Sequence, residues 1–186
     1  MGCSWVVDSS KWGKWYERSV PANPGEYRML ICYKRPWGQL VSWARRTLGI
    51  RPQDMTDEQA VDGLDLWLLR HEGDLEVADR FGIPVTAIPY ERLAFGPEKT
   101  LTPVFQDIGL DWDPRVLDWG YHDHHPLGGS MSTVWMRANK PGRIETRLDI
   151  DSISAEARFV RVSMQHPGVL PMLERLDAQA SFPYAP

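Results

Sequence analysis

The chain has 186 residues, 42% hydrophobic and 25% charged, the composition of a globular protein able to bury a real core. A formal net charge of −4 gives no electrostatic basis for general nucleic-acid binding, and no apolar run approaches the roughly 18 residues of a membrane-spanning helix. The only cysteines, Cys3 and Cys32, make no disulfide framework and are expected to be small core residues of strands.

The expectation is one domain over residues 1–186, cytoplasmic, since Asp8 and Lys11 interrupt any early hydrophobic leader. Ser4-Trp5-Val6-Val7 reads as a short buried strand ending in Asp8-Ser9-Ser10-Lys11. Polar groups at the carboxyl end of an apolar strand suit ligand contact. Asp8 is therefore a candidate general base, and Ser10 and Lys11 are candidate ligand contacts. The plain alternative is that Ser9 or Ser10 caps a helix through Trp12, Trp15 and Tyr16. A cap would leave Asp8 available.

Residues 28–46 carry the strongest local pattern. Met29 to Tyr33 is too short an apolar run for an ordinary helix and reads as a strand buried on both faces. Pro36 cannot donate to a sheet but suits the first turn of a helix. The spacing predicts a strand, a tight turn at Lys34-Arg35-Pro36, and a helix to about Leu48. Lys34 then stands at the strand tip, and Ser42 lies about two turns into the helix, on a face Lys34 can share. Such a corner binds anions in open α/β sheets; a solvated strand–helix connection is the bland alternative.

Residues 51–82 read as a helix, with Thr56-Asp57-Glu58-Gln59 in its first turn and Val61, Leu64, Leu68 and Leu69 on one face. His71 on it is expected to be structural. Residues 83–95 give a third strand, bounded by prolines, with its β core at 84–88 and its end at Tyr90-Glu91, followed by a helix from Pro97 to Ile108. Strands alternating with helices predict an α/β fold, a parallel sheet with helices on both faces.

His122, Asp123, His124 and His125 invite a metal reading. Adjacent residues of one extended segment point opposite ways, and no second cluster completes a shell, so no metal is expected. Gly128-Gly129-Ser130 can offer backbone amides to an anion. Arg137, Lys140, Arg143 and Arg147 form a basic segment in an acidic chain. Residues 154–176 read as an amphipathic helix interrupted at Pro167-Gly168, and Ala178 to Pro186 as a frayed tail.

Taken in order, these stretches resemble a known family, the sulfotransferases that use 3′-phosphoadenosine 5′-phosphosulfate (PAPS). Val6-Val7-Asp8-Ser9-Ser10-Lys11 resembles the family's strand ending in an acidic residue and Ser-Lys. Ile31 to Pro36, continuing through Ser42-Trp43, resembles the strand–turn–helix that holds the donor's 3′-phosphate. Pro89-Tyr90-Glu91-Arg92-Leu93 resembles its Tyr-Glu-x-Leu element, Phe105 to Leu110 the following helix and turn, and His124 to Ser130 its His-His and Gly-Gly-Asn loop. The order and spacing over residues 4–150 carry the likeness more than any one motif.

The resemblance implies a three-layer fold of the phosphate-loop nucleoside-triphosphatase type. It implies transfer of a sulfuryl group from PAPS to a hydroxyl or amine of a small molecule or glycan. Lys34 and Ser42 would bind the 3′-phosphate, with Gly129, Ser130 and Arg137 completing the nucleotide site; Lys34 replaces the usual Arg and keeps the charge without the bidentate fork. Ser130 replaces the usual Asn. Asp8 matches a catalytic carboxylate that would take the acceptor's proton. The family's first strand and its Ser/Thr-rich phosphate loop find no counterpart. The chain is therefore expected to be shortened at its N-terminus, to bind 3′,5′-adenosine bisphosphate weakly and to transfer sulfate poorly. A non-catalytic nucleotide-binding or interaction remnant is the alternative. A nucleotide-kinase relative is less favoured because no Walker loop is found.

Overall fold

The structure is a computed structural model and describes residues 24–121 and 150–180. These form a mixed α/β arrangement, mostly helical, around a small parallel sheet. Strand β1 (Met29–Tyr33) pairs in parallel with β2 (Val85–Pro89), Met29 opposite Val85 and Tyr33 opposite Pro89. The connection runs through α1 (Pro36–Trp43) and α2 (Asp57–Phe81). After β2 come α3 (Tyr90–Phe95) and α4 (Pro97–Asp107), then α5 (Ile150–Gln165) and α6 (Val169–Ala178). No described helix is long and apolar enough to cross a membrane.

The two strands predicted within the described residues are present and parallel, the second moved by one residue; the strand predicted at residues 4–7 lies outside them. β1 is covered on one face only among the described residues. Ile31 and Tyr33 are buried, whereas Leu30 and Cys32 are exposed, because alternate side chains of a strand point to opposite faces. The two-sided burial expected of β1, and the core position expected of Cys32, are thus corrected. The strand expected to end in Tyr90-Glu91 stops at Pro89, and Tyr90 already starts a helix.

α1 begins with Pro36 at its first position, where a missing N–H costs nothing. It runs to Trp43 and continues as a π-turn (Ala44–Leu48) that ends at Gly49 in the left-handed conformation, φ 67°. α2 is opened by the capping box foreseen at its start: the Thr56 hydroxyl accepts from the Gln59 amide, and the Gln59 side chain accepts from the Thr56 amide. Its buried face is Ala60, Leu64, Trp67, Leu68, His71 and Leu75. Val61 and Leu69, placed on that face from sequence, are exposed.

The core joins the sheet to four helices through Tyr33, Leu40, Leu64, Phe159 and Leu176, none more than 1% exposed. The break foreseen at Pro167-Gly168 separates α5 from α6. Gln179 and Ala180, part of the tail expected to fray from Ala178, instead return to the sheet, while residues 181–186 lie outside the described residues. Ala180 bridges Ala87 in parallel, and the Ala87 amide donates to the Gln179 carbonyl at 2.9 Å. Since β2 uses its alternate residues to face β1, this stub lies on the opposite edge.

α1 and α2 approach closely at Gly63. A Cβ there would lie 2.8 Å from Leu40 Cδ2 and 3.2 Å from Trp43 Cδ1. Overpacking costs about 1–3 kcal/mol, against a gain of roughly 0.4 kcal/mol in helix propensity for Gly→Val. Gly63→Val should therefore lower the thermal midpoint by about 2 °C or more. A midpoint unchanged or raised in a calorimetric scan would show that the helices do not meet there.

Candidate functional site

The carboxyl end of β1 opens into a cleft of about 380 Å³ between α1 and α2, with Lys34, Trp43, Trp67, Arg70, His71 and Tyr90 on its walls. The turn that shapes it is held from three sides. The Trp67 indole donates to the Lys34 carbonyl at 3.1 Å. The Arg35 amide donates to Glu91 Oε1 at 3.0 Å. The Arg35 guanidinium pairs with Asp177 on α6 at 2.9 Å, and the Tyr33 hydroxyl donates to the same carboxylate. Gly38 lets the first turn of α1 lie against α3, for a Cβ there would come within 3.3 Å of Glu91 Oε1.

The turn places the Lys34 ammonium 2.9 Å from the Ser42 hydroxyl, to which it donates. The ammonium also lies 4.5 Å from the centre of the Tyr90 ring, a cation–π distance. Burial lowers the Lys34 pKa, Arg46 lowers it further, and Glu91 and Cys32 act the other way. Among the described residues Lys34 makes no direct ion pair, and its ammonium donates to a neutral hydroxyl. Tyr33 is committed to structure. Burial first, then the bond to Asp177, raises its pKa, so it stays protonated.

Of the sequence-predicted site residues, Lys34 and Ser42 are brought together. Asp8, Ser10, Lys11, Gly129, Ser130 and Arg137 lie outside the described residues, as do His122, His124 and His125. Among the described residues no group of three His, Cys, Asp or Glu side chains could hold a metal ion. Sequence reasoning left Trp67 and Asp177 out of the site and named Glu91 only within the Tyr-Glu-x-Leu likeness, without a role. Trp67 and Asp177 carried no local signal, since they reach the turn only through tertiary packing.

His71 was expected to be structural, and its packing agrees: its ring meets Trp67 edge-on at 4.8 Å and Tyr33 at 6.3 Å. It also lines the cleft. Its Nδ1 is buried without a partner. Burial, aided by Arg70, lowers its pKa to about 4, so the imidazole is neutral at physiological pH.

No family model matches the chain, and neither does any curated protein or solved structure.

The depressed pKa of His71 makes stability depend on pH. The unfolded chain takes up this proton near the ordinary imidazole value of 6.5, the folded chain only near 4. The stabilisation is therefore complete above the unfolded value and is lost as pH falls from 6.5 toward 4, by about 3 kcal/mol over the full window. Denaturant unfolding at about pH 7.5 and pH 4.5 should show a smaller pH-induced loss for His71→Phe than for the wild-type chain. Equal losses would mean that His71 is not held neutral by the fold.

Proposed function

We propose that the cleft at the end of β1 is the 3′-phosphate half of a nucleotide site, and that the chain is a relative of the PAPS-dependent sulfotransferases. The observation that carries this reading is the Lys34–Ser42 contact at the carboxyl end of a parallel strand. An ammonium and a hydroxyl side by side form a donor set for phosphate oxygens. Tyr90 and the two cleft tryptophans supply flat apolar walls of the kind that hold a base. The ordered likeness of the motifs over residues 4–150 supports the same class, and with it a three-layer sheet of the phosphate-loop type. The activity in view is transfer of a sulfuryl group from PAPS to a hydroxyl or amine of a small molecule or glycan. In it Lys34 and Ser42 would orient the donor through its 3′-phosphate, Asp8 would take the acceptor's proton, Ser10 and Lys11 would contact the acceptor, and Gly129, Ser130 and Arg137 would complete the nucleotide site.

Binding without turnover is the second reading. It is favoured by two described groups near the cleft. His71 is too weak a base at neutral pH, with a pKa of about 4, and one oxygen of Glu91 is engaged by the Arg35 amide.

Calorimetry with 3′,5′-adenosine bisphosphate separates these readings from no nucleotide site at all. Loss of one charge-assisted contact is worth about 1.5–3 kcal/mol, or about 10-fold to 150-fold in affinity. Lys34→Ala should weaken binding by that factor, Ser42→Ala by less, and the wild-type affinity should fall with added salt. Unchanged affinity in Lys34→Ala would remove the assignment. Sulfuryl transfer from PAPS to a phenol or sugar acceptor, measured in parallel, then decides between enzyme and binding module.

A further inference from the structure

The cleft holds hydrogen-bonding atoms that the described residues leave unused. His71 lines it from α2, is only 5% exposed, and has its Nδ1 buried without a partner among the described residues. Trp43 lines it from α1, and its indole Nε1 is likewise buried without a partner. A buried indole N–H ordinarily finds an acceptor, and a buried polar atom without one costs stability. Trp67 shows the contrast. It lines the same cleft, and its indole is satisfied by the Lys34 carbonyl.

The frame around the two unused atoms is fixed. Gly63, Trp67 and His71 stand four residues apart on the buried side of α2 and share one stripe. Because Gly63 has no Cβ, the Trp43 ring lies against α2 there: a Cβ would come within 3.2 Å of Trp43 Cδ1, the atom bonded to Nε1, and 3.4 Å of Cγ. At the other end the His71 ring is held edge-on by Trp67 and Tyr33. Gly63 and His71 are about 12 Å apart along the helix, a span that suits a base with its sugar better than one small group.

The chemistry of the wall narrows the ligand further. The charged residues lining the cleft are Lys34 and Arg70, both cations, with no carboxylate among the described lining residues, so a cationic ligand is disfavoured. Arg70 is exposed. Between Trp43 and His71 the wall is Gly63, Leu66 and Trp67, against which a buried charge would be costly. The group that fits there is uncharged, flat enough for aromatic walls, and offers an acceptor to the Trp43 N–H and a hydrogen bond to the His71 imidazole. We propose that His71 and Trp43 form a neutral subsite that hydrogen-bonds the uncharged nucleoside part of the ligand and leaves the phosphate to Lys34 and Ser42. The subsite rests on the nucleotide reading above for the class of ligand, and adds to it the residues that hold the ligand's uncharged half.

The test uses the full chain and three probes in titration calorimetry: adenosine, 3′,5′-adenosine bisphosphate and inorganic phosphate. One neutral hydrogen bond corresponds to about 2-fold to 10-fold in affinity. His71→Phe and Trp43→Phe keep an aromatic ring and lose the hydrogen-bonding atom. Each should weaken adenosine and the bisphosphate by that factor and leave inorganic phosphate unchanged. These losses should not vary with salt, whereas the loss in Lys34→Ala should shrink as salt is added. Should a variant fail to fold, nitrogen-15 spectra of the wild-type chain still decide: the His71 Nδ1 resonance should move when adenosine is added and stay in place when phosphate is added. Adenosine affinity unchanged in either variant, or a His71 resonance indifferent to bound adenosine, overturns the subsite even where Lys34→Ala still weakens the bisphosphate. A wild-type chain that binds none of the three probes overturns the nucleotide reading and the subsite together.

Discussion

The geometry of this protein depends on the turn that joins β1 to α1. The peptide group between Lys34 and Arg35 leaves a parallel strand and enters a helix within three residues. Neither the strand nor the helix satisfies its carbonyl and its amide. The Trp67 indole takes the Lys34 carbonyl, and the Glu91 carboxylate takes the Arg35 amide. Asp177 closes the third side by binding both Tyr33 and Arg35. A buried peptide group left without a partner costs about 1–3 kcal/mol, so these contacts from α2, α3 and α6 decide whether the turn exists. Elements far apart in sequence therefore converge on a few backbone atoms.

The same arrangement sets the electrostatics. By committing Arg35 to Asp177 and Glu91 to the turn backbone, the fold leaves Lys34 with a hydroxyl and an aromatic face as its close contacts. Burying an ammonium away from water is unfavourable, and one reason to keep it is a ligand that pairs with it. Stability comes from elsewhere. Leu40, Leu64, Phe159 and Leu176 are essentially inaccessible, and truncating any of them would cost about 2–5 kcal/mol.

Local signals read from the sequence matched the described structure where they were themselves local in cause. The apolar run at 29–33, Pro36, the Thr56–Gln59 cap and the Pro167-Gly168 break all act within a turn or two, and each is found. The Lys34–Ser42 pairing follows from helix period and was legible for that reason. Misreadings arose where tertiary packing chose. Which face of α2 is buried depends on α1 and α5, so Val61 and Leu69 were misplaced. The turn from strand to helix at Tyr90 was masked by the β-branched run before it. The return of Gln179 and Ala180 to the sheet edge has no local signature at all. Glu91 and Asp177, which build the corner, are ordinary acidic residues until the fold brings them to it.

The most direct measurement is a crystal structure of the chain with 3′,5′-adenosine bisphosphate. The account predicts a phosphate group whose oxygens lie within about 3.2 Å of both Lys34 Nζ and Ser42 Oγ, with the Arg35–Asp177 pair intact. A bisphosphate bound with both its phosphates away from Lys34, or a corner that stays empty at saturating nucleotide, would contradict it.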